Sequence, residues 1–265
     1  MAHKTLIGGT SYEVSGGKTL IGGTAYGIAG GKTLIGGTGY GISFGTAIGS
    51  LAVGSSVYMN IDGASYEFLV IHQGLPSSMY DSSCNGTWVL QKMVLPTSKQ
   101  WNSSNNNSYT ESNVHSYAND TFLKKLDSSV QSIIKQVKIP YVNGTGYSPV
   151  ASGTKGLSTK IFSLSGYEVG WTTSNDGSLP QDGACLSYFS GMSATDSRRI
   201  AYMTTNSAVA RSWWLRSPYY NKRSIFTVTT DGGLQYVEST SVMMIRPAFI
   251  LPSETLVDGS GNVLA

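Results

Sequence analysis

Apolar and polar residues alternate on both sides of Asp62-Gly63 in SVYMNIDGASYEFLVIHQ, residues 56–73. That period of two predicts two strands joined by a two-residue type I′ turn. Residues 101–118, WNSSNNNSYTESNVHSYA, are polar and Asn-rich, and predict a long surface loop. In NDTFLKKLDSSVQSIIKQVKIP the apolar period changes: Phe122, Leu123, Leu126, Val130, Ile133, Ile134 and Val137 recur at helical spacing. Asn119 or Asp120 would cap the start and Pro140 follows the end. Asp127-Ser128-Ser129 in the middle can cap a second helix, so one broken helix or two both fit. Beyond Pro140 come strands and Gly/Ser loops, ending in DGGLQYVESTSVMMIRPAFIL. The pattern predicts a strand-dominated α+β fold with its helices grouped mid-chain.

Residues 1–45 differ in texture from residues 46–265 and are expected to form a separate segment. KTLIGGTSYEVSGG, KTLIGGTAYGIAGG and KTLIGGTGYGISFG repeat with a period of 14 residues. Each copy reads as a short strand, a Gly-Gly turn, a second strand and another Gly-rich turn. One such hairpin cannot bury its apolar face alone. The segment is therefore expected to be a β-repeat stalk or docking element that needs a partner or self-association. A flexible Gly-rich linker is the weaker alternative, because the Leu-Ile and Tyr positions recur in register.

Composition narrows the classes. The 265 residues suffice for one large domain or two small ones. Charged residues make up 12%, about half the usual share of roughly 25%, so the surface is polar through hydroxyl and amide groups. With 40% hydrophobic residues and a formal charge of +3, the chain is not of the disordered type. Basic doublets such as Lys124-Lys125 and Arg198-Arg199 are too scattered to track phosphates, so no nucleic-acid partner is expected. Cys84 and Cys185 can form one disulfide or stay as two thiols. MAHKTLIGGTSYE has no apolar signal core and no run reaches membrane-spanning length, so synthesis in a cytoplasm without signal-peptide export is expected.

Literal matches to catalytic motifs lack their context. GISFG, residues 41–45, fits the G-x-S-x-G of serine hydrolases but follows a Gly-rich repeat rather than a buried strand. GGKT hints at a phosphate loop, yet Tyr12 and Tyr26 stand where its first glycine belongs. Ser132-x-x-Lys135 and Ser152-x-x-Lys155 lack the companion elements of acyl-transferring β-lactam enzymes. His3, His72 and His115 form no zinc spacing, and the spacing of Glu168, Asp176 and Asp182 assigns no acid–base pair. No cofactor, metal or enzymatic activity is expected.

FLVIHQGLP, WNSSNNNSY, HSYANDTFLKKLDSSVQSIIKQVKIPY, FSLSGYEVGW, DGACLSYF, RRIAY, WWLRSP and IRPAFIL occur in an order that resembles a family of uncharacterised bacterial and phage domains. That family is similar to the C-type-lectin-like fold of formylglycine-generating enzymes and of the variable proteins of diversity-generating retroelements. The resemblance covers residues 50 to 252, and the N-terminal repeats are similar to segments of phage structural proteins. It implies a ligand-displaying domain on a virion, made in the host cytoplasm: a tail or head fibre protein that binds a host-surface protein or glycan. The implied frame is Trp213, Trp214, Leu215, Arg216, Ser217, Pro218, Asp231, Gly232, Arg246, Pro247 and Ala248. The implied ligand contacts are Tyr219, Tyr220, Asn221, Lys222, Ser224, Gln235, Tyr236, Glu238, Thr240 and Ser241. Fibre tips of this kind are often trimers, so a homo-oligomer docked through its repeats is expected. Met244-Ile245 stand where the family has Gly-Val, so either the backbone is remodelled there or a bulky pair packs. The paired cysteines of the formylglycine-generating branch are missing. A purely structural virion decoration or fibre protein is the alternative function.

The rings of SWWLRSPYYNKRS, residues 212–224, divide on physical grounds. At least one of Trp213 and Trp214 should be buried with its indole N–H on a backbone carbonyl. Arg216, between apolar residues, should tie loop carbonyls together. Tyr219 and Tyr220 follow a proline and precede Asn-Lys-Arg-Ser, the residue vocabulary of adaptable binding loops. They either contact a ligand or cover a sheet edge.

Overall fold

The computed structural model describes residues 45–265 except 146, 175, 176 and 205, together with the backbone of six short strands before them. The chain divides into two compact units, Met1–Thr46 and Ala47–Ala265. In the first, β1 (His3–Ile7) pairs with β2 (Thr10–Val14), β3 (Lys18–Ile21) with β4 (Thr24–Gly27), and β5 (Gly31–Ile35) with β6 (Thr38–Ile42). Thr5, Thr19 and Thr33 oppose Tyr12, Tyr26 and Tyr40, so the 14-residue sequence repeat is also a repeat of strand register. The Gly-Gly turns and Ser43 of the hydrolase-like match lie outside the described residues.

Next in the chain come β7 (Thr46–Ala47), β8 (Ser56–Ile61), β9 (Ala64–Gln73), β10 (Thr87–Gln91) and β11 (Ser98–Gln100). A helical stretch follows: α1 (Asn113–Ser116), a π-helical segment (Tyr117–Phe122), α2 (Leu123–Lys125) and α3 (Ser128–Ile133). Then come β12 (Val137–Ile139), β13 (Tyr141–Val142), β14 (Val150–Ala151), β15 (Leu157–Thr159), β16 (Ile161–Phe162), β17 (Ala201–Met203) and β18 (Asn206–Arg211). The last strands are β19 (Trp213–Pro218), β20 (Ser224–Val228), β21 (Leu234–Glu238), β22 (Val242–Met244), β23 (Ala248–Leu251), β24 (Leu256–Val257) and β25 (Val263–Leu264). The fold is strand-dominated α+β.

Two five-stranded sheets, ordered β16-β23-β10-β9-β8 and β11-β22-β19-β20-β21, organise the second unit. Alternation along the strands sorts the core into layers. Trp88, Leu90, Ala248 and Ile250 of the first sheet share one cluster with Trp213, Leu215, Phe226 and Val228 of the second. Val89, Phe249 and Leu251 face the other way, onto Phe122, Leu126, Val130 and Ile134 of the helical stretch. Trp214 and Ile225, on the far face of the second sheet, join Trp101, Tyr109, Val114 and Ile245. All five residues of β10 are buried, because both faces of this central strand are covered.

The turn between β8 and β9 has Asp62 at φ 50° and Gly63 at φ 78°, the double positive φ of a type I′ hairpin. Other expectations need correction. Residues 101–118 form a surface loop only in part: 103–105 are exposed and irregular, but Trp101, Asn107, Ser108, Tyr109, Ser112, Val114 and Ala118 are buried. Helix begins at Asn113, not after Asn119, because the Ser112 hydroxyl accepts the His115 N–H at 3.0 Å and caps it. Asn119 sits inside the π-helical segment and reads β16 instead. Its Nδ2 donates to Ile161 O at 2.9 Å, and its Oδ1 accepts from Ile161 N and Thr159 Oγ1, each at 3.1 Å. The helix breaks at Leu126, whose ψ of 151° is extended, giving the two-piece arrangement.

This difference is directly measurable. Asn119→Ala removes the amide that stitches the helix to β16 and should destabilise the chain by about 1–3 kcal/mol in urea unfolding. Asp120→Ala, at an exposed position, should change stability by less than about 0.5 kcal/mol. A reversed order would restore Asp120 as the helix cap.

Candidate ligand-display site

The frame of the site is a buried strand. Every residue of β19 is buried, with Trp213 and Trp214 pointing to opposite sides of the sheet. Both indole N–H groups reach backbone carbonyls, Trp213 that of Arg199 at 3.0 Å and Trp214 that of Lys99 at 2.8 Å. Arg216 binds carbonyls as expected: Nε donates to Pro140 O at 3.0 Å, Nη1 to Ser163 O at 3.0 Å and Nη2 to Asp182 O at 2.8 Å. It also meets a carboxylate that sequence spacing had not assigned, Glu168, with Nη1 on Oε2 and Nη2 on Oε1 at 2.7 Å. Burial would lower the guanidinium pKa, but the adjacent Glu168 charge reverses this and holds it above its ordinary value. Glu168 further accepts from Tyr80 Oη at 2.7 Å and Ser165 N at 2.9 Å.

Arg246 is buried without a carboxylate and donates to Gln91 O, Lys92 O and Arg199 O, with its guanidinium 5.1 Å from the Trp213 ring centroid. Burial lowers its pKa to about 10. The neighbouring Pro247 carbonyl accepts from Gln91 N at 3.0 Å, extending the hold on β10. Gly232 has φ 82°, and a Cβ there would stand 2.3 Å from Asp196 O, so close backbone approach requires glycine. Ile245 is buried beside Trp214 and Met244 packs on the central cluster, so of the two expectations for this pair the structure has the bulky packing.

On this frame four tyrosines form one run of ring contacts. Tyr219 stacks on Tyr236, with centroids 3.8 Å apart and planes 14° apart. It also meets Tyr220 at 4.3 Å, and Tyr220 meets Tyr147 at 5.6 Å. Tyr236, Tyr220 and Tyr147 are exposed to 46%, 43% and 73%. Tyr147 lies between β13 and β14, and no local pattern marked it.

The structure redistributes the expected contact residues. Tyr219 and Ser224 are buried at 4% exposure, so neither meets solvent as expected: Tyr219 lies against Tyr236 and Phe226, and Ser224 is a closing position of the loop. Tyr220, Lys222, Tyr236 and Glu238 are exposed, and Asn221 is half-buried. Gln235 is exposed on the wrong face. It opposes Thr227, whereas Tyr236 opposes Phe226 and Glu238 opposes Ser224, so alternation separates Gln235 from the tyrosines. Thr240 and Ser241 are half-buried in the next turn, where Thr240 O accepts from Gln100 Nε2.

Loop 219–224 is held from outside. The Asn107 amide, itself 1% exposed, donates to the carbonyls of Asn221 at 2.6 Å, Ser224 at 3.0 Å and Tyr219 at 3.1 Å. Within the loop Asn221 Oδ1 accepts from Ser224 N at 2.7 Å and Arg223 N at 3.0 Å, an Asx turn. The tyrosines are therefore presented on a fixed backbone.

Other chemical groupings are less complete. Ser187 Oγ lies 2.8 Å from His72 Nδ1, but among the described residues no carboxylate bonds the His72 ring to complete a nucleophile–base–acid set. Burial lowers the His72 pKa. Ser132 Oγ donates to Ser129 O and Lys135 Nζ to Asn85 O, so neither serves the other. Both cysteines are free, Cys84 buried and Cys185 exposed. Among the described residues no three metal-ligating side chains converge. An open groove of about 480 Å³ lies between β11 and the helical face of Asn113, Tyr117 and Asp120, and shares no lining residue with the tyrosines.

Below the frame, Asp182 is fully buried and accepts from Ser217 Oγ at 2.9 Å. Burial, opposed by Arg216, raises its pKa to about 7 from 3.8. Between those values the folded state holds a proton that the unfolded chain releases, so stability should fall as pH rises from about 4 to about 7, by up to ~4 kcal/mol. Asp182→Asn should flatten that slope in unfolding experiments across this range. A slope unchanged in the variant assigns it to other groups.

Comparison with known proteins places these residues in a family. Neither the curated proteins nor the solved structures contain a match to this chain. The model of a "Domain of unknown function (DUF6273)" matches residues 85–253, more than half of the sequence, from β10 through β23 and including the whole tyrosine surface. The chain thus belongs to the DUF6273 family.

Proposed function

We propose that this chain is a non-enzymatic attachment protein of a phage virion, a tail or head fibre component with a C-type-lectin-like display domain. The observation that carries the reading is the four-tyrosine run, three of its rings open to solvent above a loop fixed by buried groups. Tyrosine supplies contact area at little entropic cost, and a preformed backbone spares the ordering penalty on binding. The N-terminal hairpins serve as the docking element, and their need for a neighbour fits a homo-oligomer. The virion setting rests on the resemblance of the WWLRSP and R-P-A segments and of the repeats to phage proteins. A host-surface molecule is the partner, and no nucleic acid or membrane insertion is involved.

The test is adsorption to host cells of particles carrying Tyr147→Ser, Tyr220→Ser and Tyr236→Ser together, with Tyr202→Ser, also exposed, as control. Adsorption should fall at least about tenfold, equivalent to ~1.4 kcal/mol, with circular dichroism unchanged. Unchanged adsorption by a folded triple variant would instead assign a purely structural virion role. The flanking DNA is expected to hold a reverse transcriptase and a near-identical template differing at adenines; without them the specificity is fixed rather than diversified.

A further inference from the structure

We infer that the tyrosine surface takes a neutral oligosaccharide, with one or two sugar rings stacked on Tyr147, Tyr220 and Tyr236; the inference rests on the attachment reading above. Area is the first argument. A tyrosine presents about 150–250 Å² when open, so rings exposed to 73%, 43% and 46% offer roughly 250–400 Å² together. A standard protein interface needs about 800 Å² from each partner, with a packed apolar centre. Among the described residues, the exposed large aliphatic ones, Val53, Leu75, Val242, Leu256 and Leu264, all lie outside the 219–238 hairpin and the 143–148 loop. The three rings thus expose an aromatic area of the scale of a few sugar units, with no described exposed aliphatic residue in these two segments to extend it.

Chemistry is the second argument. A pyranose has a face of C–H groups ringed by hydroxyls, and the negative face of an aromatic ring attracts such C–H edges. Stacking at a tyrosine leaves the phenol oxygen at the rim, where it can both donate to and accept from a sugar hydroxyl. Tyr236 has one face covered by Tyr219, with centroids 3.8 Å apart, and is still 46% exposed, so the stack holds the ring while leaving much of it open. Tyr220 and Tyr147, tilted 34° to each other, extend the platform. Charge is the third argument. Lys222, Arg223 and Glu238 are exposed around the hairpin and mix both signs, so no single-sign field selects an anionic or cationic ligand.

The purified full chain should be titrated with maltohexaose, cellohexaose and chitohexaose, with decaproline as an extended-peptide probe, using saturation-transfer NMR and tyrosine fluorescence. Saturable binding of at least one hexasaccharide is expected at millimolar concentration. It should weaken about tenfold or more in Tyr147→Ala and Tyr236→Ala and persist in Tyr202→Ala. Binding to none of the three sugars, equal binding by the tyrosine variants, or binding of decaproline alone would overturn the inference. Cell adsorption lost in the tyrosine variants without any sugar binding would overturn the oligosaccharide and leave the attachment reading intact.

Discussion

Arg216 satisfies all five of its N–H donors inside the protein, on three backbone carbonyls and both oxygens of Glu168. A guanidinium stripped of water must do this, since each unmet donor in a dry interior costs kilocalories. The acceptors come from Pro140, between β12 and β13, and from Ser163, Glu168 and Asp182 of the long irregular segment after β16, so one side chain ties β19 to two otherwise irregular stretches of chain. Replacing such a buried pair with apolar residues is often neutral for stability, and its value lies in geometry. With β19 located this way, the hairpin of β20 and β21 inherits its position.

The consequence reaches the surface through strand register. Phe226 faces the central cluster and opposes Tyr236, so Tyr236 stands beside the core and Tyr219 closes the space between them. One buried tyrosine thereby orders two exposed neighbours. Asn107 does the same for the backbone, from a segment that also contributes Trp101 and Tyr109 to the outer cluster. The exposed tyrosines and the packed core are not separate regions here; the outer layer of the core is also the base of that surface.

Much of this was legible in the chain. The Asp62-Gly63 hairpin, the tryptophan N–H bonds and the carbonyl-binding role of Arg216 follow from local chemistry alone. The Glu168 partner of Arg216 is 48 residues away, and Asn107 is 112 residues from Tyr219, distances that no local pattern bridges. Tyr147 is brought to Tyr220 only by the fold. The burial of Tyr219 depended on register, which the turn at 229–233 sets. The separation of Gln235 from Tyr236 was readable, because adjacent strand residues always face opposite ways. Asn-rich composition misled for part of residues 101–118: the Asn107 amide satisfies buried backbone, while Asn105 and Asn113 remain exposed.

The clamp made by Asn107 grips only main-chain oxygens, and any amino acid supplies those. Tyr220, Lys222 and Arg223 can therefore be exchanged for other residues while the loop keeps its path, whereas Asn107, Asn221 and Ser224 hold that path with their own side chains. Architecture and vocabulary are thus encoded at different positions. The exposed side chains of the loop can thus change at little cost to its fold, because the groups that set its path lie elsewhere.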